Sequence, residues 1–181
     1  MLPLPLYSNL DEVRQAASVC VACDRHITRN VVVFGSGDPA ARLMLVGEAP
    51  SATDDDTGKP FTGPAGKLLD ELLAEHSVHR AQLWITNLVR CFAGRIRNGR
   101  PENRPVRAAE ARACRSWLEF EMQFVNPAVI LAVGAPAARA LIDKDFRLQE
   151  QRGKRFERPD GRTYLATIQP AYVMRLGNLV D

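Results

Sequence analysis

A chain of 181 residues with 46% hydrophobic and 25% charged residues has the size and composition of one globular domain with a core of its own. No apolar run approaches the roughly 18 residues of a membrane helix, and Met1-Leu-Pro-Leu-Pro-Leu6 is too short and proline-broken for a signal peptide; both place the protein in the cytoplasm, away from membranes. The net charge of +3 hides an uneven spread, because residues 1–89 carry 7 Lys/Arg against 11 Asp/Glu and residues 90–181 carry 17 against 10.

In chain order, Asn9 is placed to cap a helix with Leu10, Val13, Ala16 and Ala17 on one face. The helix runs into Cys20-Val-Ala-Cys23. Arg42-Leu-Met-Leu-Val46 is a short apolar run ending at Gly47, as a buried parallel strand does. The segment Glu48–Gly66, rich in Gly, Pro, Asp and Thr, is too long for a mere connector. Ala65, Leu68, Leu69, Leu72 and Leu73 then mark a helix by their spacing. A strand over Leu83–Val89 leads into an arginine-rich loop and a helix over Val106–Phe124 carrying Cys114, Trp117 and Leu118.

Between Arg90 and Arg115 stand eight arginines and only Glu102 and Glu110 as acids. Arginine's planar fork favours bidentate contact with phosphate, so the cluster suits a polyanion; a solvated surface with scattered ion pairs would have the same composition. Ala128–Val133 is the clearest strand, followed by a helix over Ala135–Ile142. Two basic strands about Pro159-Asp-Gly161 read as a hairpin, and the chain closes in a loop with a single helical turn. Alternating strands and helices predict one α/β domain over residues 1–181, with three αβα layers around a mostly parallel four-stranded sheet.

Ligands of such sheets bind at the carboxyl ends of the strands. Three of those ends carry special residues: Gly47-Glu48-Ala49-Pro50, Thr86-Asn87, and Thr167-Ile168-Gln169-Pro170. Four cysteines, Cys20, Cys23, Cys91 and Cys114, are candidates for one metal site. A redox Cys-x-x-Cys normally follows a strand, and this one follows a helix. Structural zinc favours two close pairs, whereas 22 residues separate Cys91 from Cys114. An iron–sulfur cluster tolerates that spacing, and so do two unrelated buried thiols.

Gly47-Glu-Ala-Pro-Ser-Ala-Thr-Asp-Asp-Asp-Thr-Gly-Lys-Pro-Phe61-Thr-Gly-Pro-Ala-Gly66 resembles the first motif of the iron–sulfur, family 4 uracil-DNA glycosylases. Thr86-Asn87 with Cys91 resembles that family's Thr-Asn-x-x-x-Cys segment, and Asn103-Arg104-Pro105 with Ala113-Cys114-Arg115 resembles the approach to its last cysteine. Ala132-Val-Gly-Ala135 and Gln169-Pro-Ala-Tyr-Val-Met-Arg175 fall where its final motifs belong. The resemblance implies a [4Fe-4S] cluster on Cys20, Cys23, Cys91 and Cys114, and a monomeric protein acting on uracil in single- or double-stranded DNA. It also implies base-binding roles for Ala49, Phe61, Asn87 and Gln169, catalytic roles for Glu48, Asp55 and Gln169, and DNA contacts from Arg95, Arg97, Arg100, Tyr172 and Arg175.

The chemistry asks for such residues. A flipped uracil needs an aromatic to stack on, here Phe61. Its N3–H and O4 need an acceptor and a donor together, which the Asn87 amide supplies. Donors aimed at O2 stabilise the departing anion, and Glu48 or Asp55 would orient the attacking water.

Three departures stand out. Gln169-Pro170-Ala171 replaces the usual His-Pro-Ser, and no histidine follows His79; losing such a donor costs about 10²–10³ in rate. Ser51 stands where the family tends to have glycine. Phe92–Gly99 looks inserted; a related branch has an inserted loop whose histidine bonds to the abasic sugar, but this insertion contains none. Two alternatives follow: a catalytically weak protein that holds uracil or abasic DNA, and a glycosylase for another deaminated base such as hypoxanthine or xanthine.

Overall fold

In the computed structural model the described residues are 7–97 and 100–177, and the side chains of residues 95–102 lie outside that description. Helix α1 (Leu10–Ser18) is capped by Asn9, whose side chain accepts from the Glu12 amide. A two-residue strand β1 (Ser36–Gly37) precedes β2 (Leu43–Gly47), α2 (Ala52–Thr57) and α3 (Pro64–Glu75). Strand β3 (Trp84–Asn87), a hairpin of β4 (Gly94–Arg97) and β5 (Arg100–Asn103), and the long α4 (Ala108–Val125) follow. The chain continues through β6 (Val129–Val133), α5 (Ala135–Leu141), a short α6 (Leu148–Gln151), β7 (Phe156–Glu157), β8 (Thr163–Thr167) and α7 (Pro170–Gly177).

The main sheet has the order β1-β3-β2-β6-β8-β7, with β3, β2, β6 and β8 parallel and both edge strands antiparallel. The four parallel strands are those the sequence predicts. Of the two edge strands, β7 is the first strand of the basic hairpin predicted about Pro159-Asp-Gly161, and β1 is additional, its two residues too few to carry a readable period. Side chains alternate across the pleat, which divides the core in two. Met44, Val46, Trp84, Ile130 and Ala132 pack on one face with Val13, Ala17, Leu118 and Val125 of α1 and α4. Leu45, Ile85 and Val133 pack on the other with Leu69 of α3 and with Phe61. The functional aromatic candidate is thus the end of the smaller core.

Three segments differ from the sequence expectation. Helix α2 lies within the predicted loop Glu48–Gly66; Ala-Thr-Asp-Asp-Asp-Thr has no apolar period, and the helix rests on a reciprocal cap between Ser51 and Asp54. The arginine-rich loop is the β4–β5 hairpin, pairing Arg95 with Glu102 and Arg97 with Arg100 along the backbone. The terminal helical turn extends to the 8 residues of α7.

The hairpin is fixed at its root. Arg25 Nη1 donates to Gly94 O (2.9 Å) and its Nε to Glu110 Oε1 (2.9 Å). Arg104 Nη1 donates to Glu110 Oε2 (2.9 Å), and the Arg104 amide to Ala93 O (2.8 Å). One buried carboxylate on α4 therefore ties the cysteine-bearing N-terminal segment to the hairpin. Hydrogen bonding from Arg104, above all, holds the Glu110 carboxyl well below its ordinary range, down to about 2. A depressed carboxylate adds stability that is full above its unfolded pKa, about 4.5, and is lost as pH falls through about 2. Glu110→Gln should cost about 1.5–3 kcal/mol, the usual worth of hydrogen bonds to a charged group. In urea unfolding the gap from the parent protein should be equal at pH 8 and pH 5.5; a gap that shrinks over that interval would assign the stabilisation to another group.

Candidate active site and four-cysteine site

A cavity of about 340 Å³ opens at the carboxyl ends of β2, β3 and β8. Ala49, Phe61, Asn87, Asn103, Gln169 and Arg175 are among its lining residues. Phe61 is 9% exposed and sits at φ 54°, in the left-handed region that costs a non-glycine residue about 1–2 kcal/mol. Two features offset that cost. Arg80 Nη2 donates to Pro60 O (3.1 Å) and Phe61 O (2.7 Å), and Gly66 leaves room for the Phe61 carbonyl, which a Cβ would strike. The ring in turn lies over Gly47: a Cβ there would come within 2.6 Å of Phe61 Cζ and would collide with Asn87 Oδ1.

Asn87 is 2% exposed. Its Nδ2 is buried and has no hydrogen-bond partner among the described residues, and neither has Thr86 Oγ1. Buried amides are almost always satisfied, and Nδ2 is a donor available to an acceptor in the cavity that Asn87 lines. Gln169 lies half-buried on the turn between β8 and α7, with its Cβ against Gly134, whose φ of 95° suits glycine alone.

The carboxylates divide. Glu48 follows β2 directly, half-buried, and its Oε1 accepts from the Val106 amide (2.8 Å), at the approach to α4. Glu48 adjoins the lining residue Ala49 without itself lining the cavity, and Asp55 does not line it either: the Asp55 carboxylate accepts from the amides of Asn30 (2.9 Å) and Val31 (3.4 Å), because the α2 turn directs it toward the N-terminal segment. Asp54 lines the cavity instead, although it is occupied by the amides of Ser51 and Thr62 and by the Thr62 hydroxyl. Ser51, the other departure in the first motif, has a local reason as the cap of α2.

Tyr172 and Arg175 lie exposed on α7, the guanidinium 5.8 Å above the ring, and only Arg175 reaches the cavity. Arg95, Arg97 and Arg100 belong to β4 and β5, but their side chains lie outside the described residues.

The cysteines converge. Cys20, Cys23, Cys91 and Cys114 all line one cavity with Arg29, Arg90 and Trp117. Cys20 and Cys23 are half-buried, Cys91 and Cys114 buried. Three donors address the sulfurs: Trp117 Nε1 to Cys20 (3.4 Å), the Arg90 amide to Cys114 (3.3 Å) and Arg29 Nη1 to Cys91 (3.6 Å). Burial pushes the Cys91 thiol up to about 11 against the pull of Arg29, and raises Cys114 likewise against Arg90. Among the described residues, no three His, Cys, Asp or Glu side chains are spaced to hold a metal ion. Thiolates on one zinc at ~2.3 Å would stand about 4 Å apart. The four thiols, with N–H donors and two guanidiniums around the same cavity, are a donor set whose chemistry suits an anionic thiolate-bound group.

Sequence reasoning missed the supporting residues. Arg80, Arg29 and Trp117 carry no motif. Glu121 had a signal: the spacing Cys114, Leu118, Glu121, Val125 puts it on the buried face of α4. It is fully buried and its Oε1 lies 3.2 Å from Arg90 Nε, so one of the counted arginines is core rather than surface.

A family model described as the uracil DNA glycosylase superfamily matches residues 34–178. The chain belongs to that superfamily. It is 35% identical over 167 residues to a type-4 uracil-DNA glycosylase of Thermotoga maritima, covering 92% of this chain and 83% of that protein. A type-4 uracil-DNA glycosylase of Pyrobaculum aerophilum is 34% identical over 80% of this chain and 70% of its own length. A type-5 uracil-DNA glycosylase of Thermus thermophilus is 34% identical over 75% and 67% respectively. The superfamily's matched region includes both the cavity at the strand ends and two of the four cysteines, Cys91 and Cys114.

Gly47 is the tightest point of the cavity. Gly47→Ala must displace either the Phe61 ring or the Asn87 amide. Misplacing a reacting group by about 1 Å costs on the order of 10²-fold in rate, so single-turnover excision of uracil from an oligonucleotide should fall by about that factor. An unchanged rate would remove Phe61 and Asn87 from the reaction.

Proposed function

We propose that this protein hydrolyses the N-glycosidic bond of uracil flipped out of DNA, leaving an abasic site, as a monofunctional uracil-DNA glycosylase. One observation carries the reading: the buried Asn87 Nδ2, without a partner among the described residues, lies at a cavity beside the Phe61 ring, at the strand ends and within the region matched by the superfamily model. Phe61 stacks on the base. Asn87 pairs with its O4 and N3–H, and cytosine, with donor and acceptor exchanged, cannot satisfy the same amide orientation. Glu48, next to the cavity-lining Ala49 and oriented by the Val106 amide, holds the attacking water, while Asp55 is engaged by the amides of Asn30 and Val31.

Gln169 lines the cavity and donates to uracil O2 as negative charge develops there. Its neutral amide does what the family's histidine does, without the option of becoming charged. Arg175 at the cavity mouth, Tyr172 beside it, and Arg95, Arg97 and Arg100 of the hairpin engage the phosphate backbone of single- or double-stranded DNA. Cys20, Cys23, Cys91 and Cys114 hold a [4Fe-4S] cluster. When bound, the cluster supplies a covalent cross-link among the N-terminal segment, the end of β3 and α4, together with negative charge beside Arg29 and Arg90. The protein acts as a monomer in the cytoplasm, where thiols remain reduced.

The test is at Gln169. Gln169→Ala should lower the single-turnover rate by about 10-fold or more, and Gln169→His should match or exceed the parent. Parent-like activity of Gln169→Ala would move stabilisation of the leaving group to the backbone around Ala49 and Ser51.

A further inference from the structure

Arg90 follows Asn87 by three residues and precedes the ligand candidate Cys91, yet its guanidinium is 1% exposed. It does four things at once. Its Nη1 donates to the Asn87 carbonyl. Its Nε lies 3.2 Å from Glu121 Oε1, while Glu121 also accepts from the Gly35 amide (3.0 Å) and Trp84 Nε1 (3.2 Å). Its backbone amide donates to Cys114 Sγ (3.3 Å). Its Nη2 nevertheless is buried with no hydrogen-bond partner among the described residues, and Arg90 lines the cysteine cavity.

A buried cation with an unsatisfied donor is costly. A thiolate-bound group held by the four cysteines would be anionic and rich in sulfur acceptors, and would supply the acceptor that Nη2 lacks. The same guanidinium grips the peptide whose side chain reads the base. We propose that Arg90 is a positioning residue which couples the four-cysteine site to uracil recognition, holding the Asn87 amide in register through its carbonyl.

This inference rests on the reading of Asn87 as the uracil reader. Glu121 matters to it as the counterion that keeps Arg90 from turning wholly toward the sulfurs. The site also explains Gly35, where a Cβ would come within 2.7 Å of Trp84 Cε2 and 2.9 Å of Glu121 Oε2.

The test uses cluster-loaded protein and binding rather than turnover. Oligonucleotides carrying 2′-fluoro-deoxyuridine or 2′-fluoro-deoxycytidine resist hydrolysis, and the ratio of their dissociation constants measures discrimination by Asn87. Arg90→Lys keeps the charge but loses the fork. Arg90→Met combined with Glu121→Gln removes both charges while retaining an acceptor for Gly35 and Trp84, which keeps a folded variant in hand. Both variants should lose at least 10-fold of the uracil-to-cytosine preference, with a shifted visible absorption of the cluster, while affinity for undamaged DNA stays within 2-fold. Parent-like discrimination in the folded variants would overturn the proposal, as would an unshifted cluster spectrum. A parent protein that shows no preference between the two oligonucleotides would instead overturn the reading of Asn87.

Discussion

The arrangement turns on one buried ion pair. Arg90 and Glu121 sit in the larger core, 1% and 0% exposed, between the sheet and α4. Such a pair rarely adds net stability, because desolvation of two charges offsets their attraction, but losing one partner costs about 3–5 kcal/mol. It acts as a specifier of position. Glu121 locks the Gly35 amide and the Trp84 indole, and Arg90 locks the carbonyl of Asn87 and, through its amide, the sulfur of Cys114. The end of β3, the cysteine cavity and α4 are set by the same two side chains.

From that anchor the cavity follows by exclusion of volume. Gly47 lacks the Cβ that would collide with Asn87, and Phe61 fills the space that results. The ring is held there from behind, by Arg80 on its backbone and by the smaller core. Each part of the reading surface thus has a support that never touches a base. This is the usual demand of a site that must hold geometry to within a fraction of an ångström.

Much of this was legible in the chain. Three of the four parallel strands are apolar runs ended by Gly47, Asn87 and Gly134, the fourth belongs to the basic hairpin, and α3 announces itself through Leu68, Leu69, Leu72 and Leu73. The strand ends that looked unlike core are the ones that line the cavity. What escaped was of two physical kinds. Segments without a hydrophobic period, α2 and the edge strand β1, depend on a cap and on pairing with distant chain. Charged residues were read by composition, which cannot distinguish Arg90 in the core, Arg25 and Arg104 clamped on Glu110, and Arg175 at the cavity mouth. The adjacent Asp54 and Asp55 show the same limit, since helical geometry alone sends one toward the cavity and the other toward Asn30.

The departure at Gln169 is where the account is most exposed, because a site can retain base recognition and lose chemistry. The direct measurement is incubation of the cluster-loaded protein with an oligonucleotide containing one uracil, followed by alkali. The account predicts strand cleavage at the uracil position under single-turnover conditions, and none with thymine or hypoxanthine in its place. Tight retention of the uracil oligonucleotide without alkali-sensitive sites would contradict it, and would make the protein a binder of uracil in DNA.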